Sequence, residues 1–203
     1  DPFLKKKKKN GRALTNIASG EREYTRRLAD MGCVEGFVNL LKNSVDMETV
    51  DQAIWGLGNI AGDSSPLRDK VLHSGVVSYI LKNLNELPEM MKRNAVWTLS
   101  NFCRGKPSPE WKAVSQILKP LADLLTNAKD YEVITDVLWA ISFISEDRDE
   151  GVDERGKPRG KPLNLPDSFQ IDAVIKTGIV SLVVNYIKHA ARLRESVWDT
   201  IYK

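Results

Sequence analysis

A tryptophan recurs at a fixed interval along this chain, and the interval constrains the fold more than any other feature. Trp55, Trp97 and Trp139 are each 42 residues apart, and the first two are followed four residues later by Asn59 and Asn101. Self-similarity at a period of about 40–47 residues is typical of helical repeats, in which each unit buries its apolar face against its neighbours. The chain is therefore predicted to form a stacked array.

The apolar residues around the first of these tryptophans follow a helical period. Ile54, Leu57, Gly58 and Ala61 lie on one stripe of a helix, and the stripe predicts a buried face. Trp55 lies beside the stripe rather than within it. No segment alternates apolar and polar residues for long enough to predict a sheet, so the fold class is all-α.

The rest of each unit resembles a pair of further helices. About 20 residues after each tryptophan we expect a turn and a second apolar helix, with the turns at residues 31–34, 74–77, 118–120 and 177–180. A short helix precedes the turn, as at residues 65–72, where Pro66 suits a first helical turn. Three helices per unit favour armadillo over HEAT repeats. We predict a right-handed superhelical armadillo-repeat solenoid of about four units.

Two parts of the chain are expected to depart from the array. Residues 1–11 contain five consecutive lysines and are predicted to be a basic, disordered tail before an array that spans residues 12–203, with both ends inside a repeat. About 19 additional residues separate the Trp139 helix from the turn at Gly178. They are charged and rich in Gly and Pro, which predicts a flexible inserted loop at about residues 148–167.

Charge and composition exclude several classes of function. The net charge of +3 comes from the tail, because residues after position 10 carry 25 basic and 26 acidic groups; this argues against a specific nucleic-acid surface. No apolar run of about 18 residues predicts a membrane span. Cys33 and Cys103 are expected to be small buried hydrophobes in a reducing compartment. Metal-ligand spacing, a Gly-rich phosphate loop and a His-paired nucleophile are missing, so we expect no metal, cofactor or enzyme activity.

Stacking brings equivalent residues of successive units onto one surface. The asparagines predict one ladder, Asn16, Asn59 and Asn101, beside a second ladder of the three tryptophans. An amide can bind the N–H and C=O of an extended peptide, and an indole face attracts a cation by about 0.5–2 kcal/mol. Three acidic residues near these positions can pair with such a cation, namely Asp63, Glu132 and Asp136. The pattern predicts a groove for an extended Lys/Arg-rich peptide.

Four segments resemble importin α (karyopherin α), the armadillo-repeat adaptor that recognises nuclear localisation signals. They are ALTNIASG at 13–20, IWGLGNIAGD at 54–63, VWTLSNFCRG at 96–105 and LWAISFIS at 138–145. The resemblance covers residues 12–147 and, more loosely, 168–190, and corresponds to the second to fifth or sixth repeats of that family. It implies a nuclear-import adaptor of the cytoplasm and nucleus. Its implied partners are cargo signals and importin-β, although the Arg-rich segment that contacts importin-β is not in this sequence.

The resemblance also implies roles for single residues. Gly20, Thr25 and Asp63 match the pocket that fixes the most demanding lysine, Gln52 matches a polar contact beside it, and Phe143 replaces the usual tyrosine. Arg12 stands where the family has its first tryptophan, which removes one wall of the groove. The candidate peptide-binding residues are Asn16, Gly20, Thr25, Gln52, Trp55, Asn59, Asp63, Trp97, Asn101, Arg104, Glu132, Asp136, Trp139 and Phe143.

Two alternatives remain open at this stage. The chain can be a generic armadillo scaffold for other extended or acidic partners, which a basic groove would favour. Alternatively, one of its own basic segments, Lys5–Lys9 or Lys157–Lys161, can occupy the groove as a pseudo-signal.

Overall fold

The computed structural model describes residues 11–44, 46–146 and 169–189, and all regular structure in these ranges is helical, as predicted. The helices are α1 (residues 11–18), α2 (Arg22–Asp30), α3 (Cys33–Asn43), α4 (Met47–Asp63), α5 (Ser65–His73), α6 (Val76–Asn83), α7 (Glu89–Cys103), α8 (Trp111–Asn127), α9 (Tyr131–Ser145), α10 (Phe169–Lys176) and α11 (Ile179–His189). The lysine run and the predicted loop at about 148–167 lie outside the described residues, and so do both candidate pseudo-signals.

The helices repeat in the predicted order. A short helix, a second helix and a long third helix follow one another as α2–α3–α4 and again as α5–α6–α7. The third helices, α1, α4, α7 and α9, stack in sequence, and the pairs α4–α7 and α7–α9 make the most extensive contacts. The stripe predicted on α4 is buried, since Ile54, Leu57, Gly58 and Ala61 all lie in the interior.

A left-handed glycine separates the first helix of a unit from the second. Gly32, Gly75 and Gly178 have φ angles of +82°, +74° and +77°, a region that a residue with a Cβ seldom adopts. The third unit has Pro120 near the corresponding position, and its ring holds φ close to −65°. The turn predicted at residues 118–120 is therefore wrong: α8 continues through Pro120 as one helix.

Side-chain hydroxyls link successive third helices. Thr98 Oγ1 on α7 donates a hydrogen bond to the Ile54 carbonyl of α4 (3.1 Å), and Thr15 Oγ1 on α1 donates to the Gln52 carbonyl (3.0 Å). Both threonines are buried, so these bonds satisfy polar groups that face no water. They fix the register of α1 against α4 and of α4 against α7.

A fully buried arginine anchors the loop after α7. The Arg68 guanidinium on α5 donates to the carbonyls of Arg104 (2.7 Å), Gly105 (3.1 Å) and Pro107 (2.7 Å). Its charge is balanced by Asp69, whose Oδ1 accepts from both Nε (2.9 Å) and Nη2 (2.7 Å). The loop that carries Arg104 is thus tied to the first helix of its own unit.

The last two described helices continue the array beyond α9. α10 packs on α9, and its Phe169 ring meets Trp111 of α8 edge-on with centroids 5.0 Å apart. Among the described residues no single helix is long and apolar enough to cross a bilayer. α10 and α11 reach the necessary length and apolar composition only when they are taken together, and a bend of 70° separates them.

We predict that Arg68→Met lowers the free energy of unfolding by about 3–5 kcal/mol, because it removes the buried guanidinium that donates to three carbonyls of the loop and balances the charge of Asp69. Urea denaturation measures the change. Arg26→Met is the matched control, since Arg26 is exposed on α2 and its loss should cost no more than about 0.5 kcal/mol. Equal effects of the two substitutions would contradict the anchoring role.

Candidate functional site

A groove crosses the surface formed by the third helices. It consists of three adjoining cavities of about 270, 400 and 380 Å³, and Trp97 lines all of them. We name them the Asp63 cavity, lined from α1, α2, α4 and α7; the Trp139 cavity, lined from α7 and α9; and the Glu132 cavity, at the N-terminal halves of α7 and α9. Asn101 and Arg104 line both the Asp63 cavity and the Trp139 cavity, and Asp136 lines both the Trp139 cavity and the Glu132 cavity. The three cavities therefore form one continuous groove.

A carboxylate lies in the wall of the Asp63 cavity. Asp63 is the last residue of α4, and its side chain is only 7% exposed. Its Oδ2 is buried and accepts no hydrogen bond from the described residues. The C-terminal end of a helix carries a partial negative charge, which disfavours a second negative group there. A cation that enters the cavity would donate a hydrogen bond to Oδ2 and would offset this repulsion.

A free amide donor lines the same cavity. Asn59 Nδ2, one turn before Asp63 on α4, is buried and has no acceptor among the described residues. The hydroxyl of Thr25 is already engaged, since it donates to the Ala18 carbonyl at 3.2 Å. A buried donor and a buried acceptor thus remain open to an occupant that offers both a carbonyl and a cation.

The tryptophan that the three cavities share packs on a glycine of the preceding unit. A Cβ on Gly58 would lie 2.6 Å from Trp97 Cζ3 and 2.4 Å from Thr98 Oγ1, so only glycine allows this contact. Beside it Asn101 is 6% exposed, and its Nδ2 donates to the Gly58 carbonyl at 3.3 Å. Trp97 and Asn101, which are the α7 members of the two predicted ladders, therefore both contact Gly58 of α4.

An exposed aromatic pair forms the wall on α9. Trp139 is 54% exposed and stacks on Phe143, with ring centroids 5.7 Å apart and planes inclined by 22°. Trp97 lines the same cavity from α7. An aliphatic stem with a terminal cation fits between such faces, where cation–π attraction is available.

Asp136 supplies the acidic group between these aromatic residues. Burial, and then the charge of Glu132, raise the pKa of Asp136 to about 6. Burial thus disfavours the ionised form of Asp136, and a cation bound beside it would stabilise that form and lower its pKa.

Two arginines that the sequence analysis did not assign to the site contact its acidic residues. Arg93 on α7 lies 2.7 Å (Nη1) from Glu132 Oε2 and also pairs with Asp130. Arg22 on α2 places Nε 3.7 Å from Asp63 Oδ1 and donates from Nη2 to the Asp63 carbonyl at 3.2 Å. Both arginines contact an acid 39–41 residues away, close to the repeat period; this spacing is visible in the sequence but does not by itself specify a contact.

The structure brings most candidate residues to the groove but not all of them. The residues that line it are Gly20, Thr25, Asn59, Asp63, Trp97, Asn101, Arg104, Glu132, Asp136, Trp139 and Phe143. Asn16 is exposed on α1, Trp55 is half-buried on α4, and Gln52 has a buried Oε1 without a partner among the described residues; none of these three lines a cavity of the groove.

Comparison with known proteins identifies the repeat type. Residues 22–62 and 64–104 match the model of the Armadillo/beta-catenin-like repeat. A designed armadillo repeat protein in complex with the peptide (KR)4 superposes with a TM-score of 0.69 at 28% identity, covering 86% of this chain and 65% of that one. The prediction of an all-α armadillo solenoid is confirmed.

Sequence relatives confirm the resemblance to importin α. The chain is 40% identical over 178 residues to importin subunit alpha-1b of Oryza sativa subsp. japonica, covering 87% of this chain and 29% of the relative. It is 46% identical over 141 residues to importin subunit alpha-6 of Arabidopsis thaliana, covering 69% of this chain and 26% of the relative. The chain thus spans less than a third of the length of these relatives.

We predict that Gly58→Ala lowers the free energy of unfolding by about 1–3 kcal/mol and alters Trp97 fluorescence, because the added methyl group overlaps the indole ring. Gly36→Ala is the control: a Cβ there meets nothing within 4 Å, so the helix should be unaffected or up to about 1 kcal/mol more stable. If Gly58→Ala is as stable as Gly36→Ala, the close contact between Gly58 and Trp97 is wrong.

We predict that Asp136→Asn raises the free energy of unfolding by about 1 kcal/mol at pH 7, a value reduced for partial solvent exposure. Between about pH 4 and 6 the native Asp136 binds a proton that the unfolded carboxyl does not, so the wild-type protein gains stability as the pH falls. The advantage of the variant should shrink over that window in urea denaturation. A gain that stays constant from pH 7 to pH 4 would contradict the raised pKa.

Proposed function

We propose that this chain, whose armadillo repeats resemble those of importin α subunits, binds extended Lys/Arg-rich segments of other proteins along the groove of its third helices. Within that class we propose nuclear localisation signals of cargo as its ligands, and nuclear import as the process. The observation that carries the proposal is the buried Oδ2 of Asp63, which has no hydrogen-bond partner among the described residues and lies in a cavity beside Trp97.

A lysine side chain fits the Asp63 cavity on chemical grounds. Its ammonium group would supply the donor that Oδ2 lacks and would neutralise a carboxylate at the negative end of a helix. Its aliphatic stem would pack against the Trp97 indole, which lines the same cavity. The free Asn59 amide can donate to a carbonyl of the peptide backbone.

A second basic side chain fits the Trp139 cavity. Trp97 and Trp139 line it with the half-buried Asp136, so that one cation can meet two aromatic faces and a carboxylate. Because the two cavities share Trp97, Asn101 and Arg104, one extended peptide can occupy both. Repeated shallow subsites along a stacked array suit an extended ligand better than a compact one.

The similar proteins support this class of ligand. The designed armadillo protein is in complex with (KR)4, a peptide that alternates lysine and arginine. The curated relatives are importin α subunits, which is the basis for proposing nuclear import, residence in cytoplasm and nucleus, and importin-β as a further partner. The rival function is a generic scaffold for other extended or acidic partners, and acidic partners are disfavoured because Asp63 and Asp136 line the groove.

Titration with labelled (KR)4 by fluorescence anisotropy tests the proposal. We expect binding that weakens when the salt is raised from low ionic strength to about 0.15 M, because the contacts are between charges. The control peptide is (KE)4, which has the same length and no net charge. Equal affinity for the two peptides would refute a basic-peptide site, and tight binding of (DE)4 would favour the scaffold function.

We predict that Asp63→Lys weakens (KR)4 binding at least about tenfold, since an attracting buried charge becomes a repelling one. Glu86→Lys makes the same change of charge at an exposed position outside the groove, and should weaken binding much less. Anisotropy titrations of the two variants provide the comparison. If they lose affinity equally, the effect is one of net charge and the assignment of Asp63 fails.

A further inference from the structure

We infer that Arg22 is a specificity-determining residue of the Asp63 cavity: by occupying one side of the Asp63 carboxylate, it makes the cavity favour an ammonium group over a guanidinium group. The inference rests on the proposed function and adds to it an internal residue that selects between the two kinds of basic side chain.

The two oxygens of the Asp63 carboxylate have different surroundings. Arg22 is the first residue of α2 and reaches across to the end of α4, where its Nε lies 3.7 Å from Oδ1 and its Nη2 donates to the Asp63 main-chain carbonyl at 3.2 Å. Oδ2 is buried and accepts from none of the described residues. One oxygen is therefore already opposite a cation, and the other is open.

This asymmetry distinguishes lysine from arginine. A guanidinium pairs best with a carboxylate through two parallel N–H···O bonds, one to each oxygen. Since Arg22 faces Oδ1, an incoming arginine must either displace Arg22 or make a single bond beside another guanidinium. An ammonium is a compact donor that one oxygen can satisfy, so lysine can use Oδ2 while Arg22 remains.

The contact of Arg22 is a surface contact, so removing it should leave the fold intact. Its side chain is 80% exposed, and ion pairs at such positions contribute about 0–1 kcal/mol to folding. The Arg93–Glu132 pair of the same groove is shorter, at 2.7 Å, and a second acid, Asp130, supports it. Arg22 therefore adds little to the fold, and its main effect falls on whatever cation approaches Asp63.

Binding of octa-lysine and octa-arginine to the wild-type chain and to Arg22→Gln tests the inference. The readout is the ratio of the Kd for octa-lysine to the Kd for octa-arginine. The two peptides contact the tryptophans differently, but this difference is the same in both variants and cancels when their ratios are compared. Arg22→Gln should shift the ratio toward octa-arginine by about three- to tenfold, the net worth of one ordinary hydrogen bond. Arg26→Gln removes the same charge from an exposed position of α2 outside the cavity, and should tighten both peptides equally.

A second background separates the Asp63 contact from general repulsion. In Asp63→Asn, the further change Arg22→Gln should leave the ratio unchanged, because no carboxylate remains to be shared. The role of Arg22 is overturned if Arg22→Gln still shifts the Kd ratio in the Asp63→Asn background. It is also overturned if Arg22→Gln leaves the ratio unchanged in the wild-type background. In both cases the proposal that the groove binds basic peptides is unaffected. If neither peptide binds the wild-type chain, the proposed function fails and this inference falls with it.

Discussion

The close stacking of successive third helices is the contact on which the groove depends. At its centre, Gly58 of α4 allows the Trp97 ring and the Thr98 hydroxyl of α7 to approach within a distance that any Cβ would prevent. Thr98 then donates to the Ile54 carbonyl, and Asn101 donates to the carbonyl of Gly58 itself. Because three side chains of α7 rest on the backbone of α4, the position of the Trp97 indole follows from helix packing.

The stacked helices give the groove its electrostatic character. Asp63 ends α4 with a carboxylate that is only 7% exposed. Burial raises the pKa of Asp136 to about 6. A cation bound beside Asp136 would favour its ionised form, and one bound beside Asp63 would supply a hydrogen-bond donor to the buried Oδ2. The arginines Arg22 and Arg93 supply part of this missing positive charge from within the chain.

The parts of the fold that the sequence predicted are those set by local patterns. The buried stripe of α4 follows from helical periodicity. The turn expected at residues 118–120 was wrong, because α8 continues through Pro120. A proline cannot take the positive φ of Gly32 and Gly75, but it also disfavours a helix interior, so local preference alone does not predict the continuous helix.

The sequence by itself determined the repeat, its helical class and the residue types on the third-helix surface, because each of these repeats every 42 residues or is encoded within one helix. Only the tertiary structure decided which carboxylate oxygens are open, which amides are engaged, and which arginines lie beside the acids. Arg22 and Asp63 are 41 residues apart and belong to different helices. Their contact depends on the rotation of one unit against the next, and no pattern within a single unit specifies that angle.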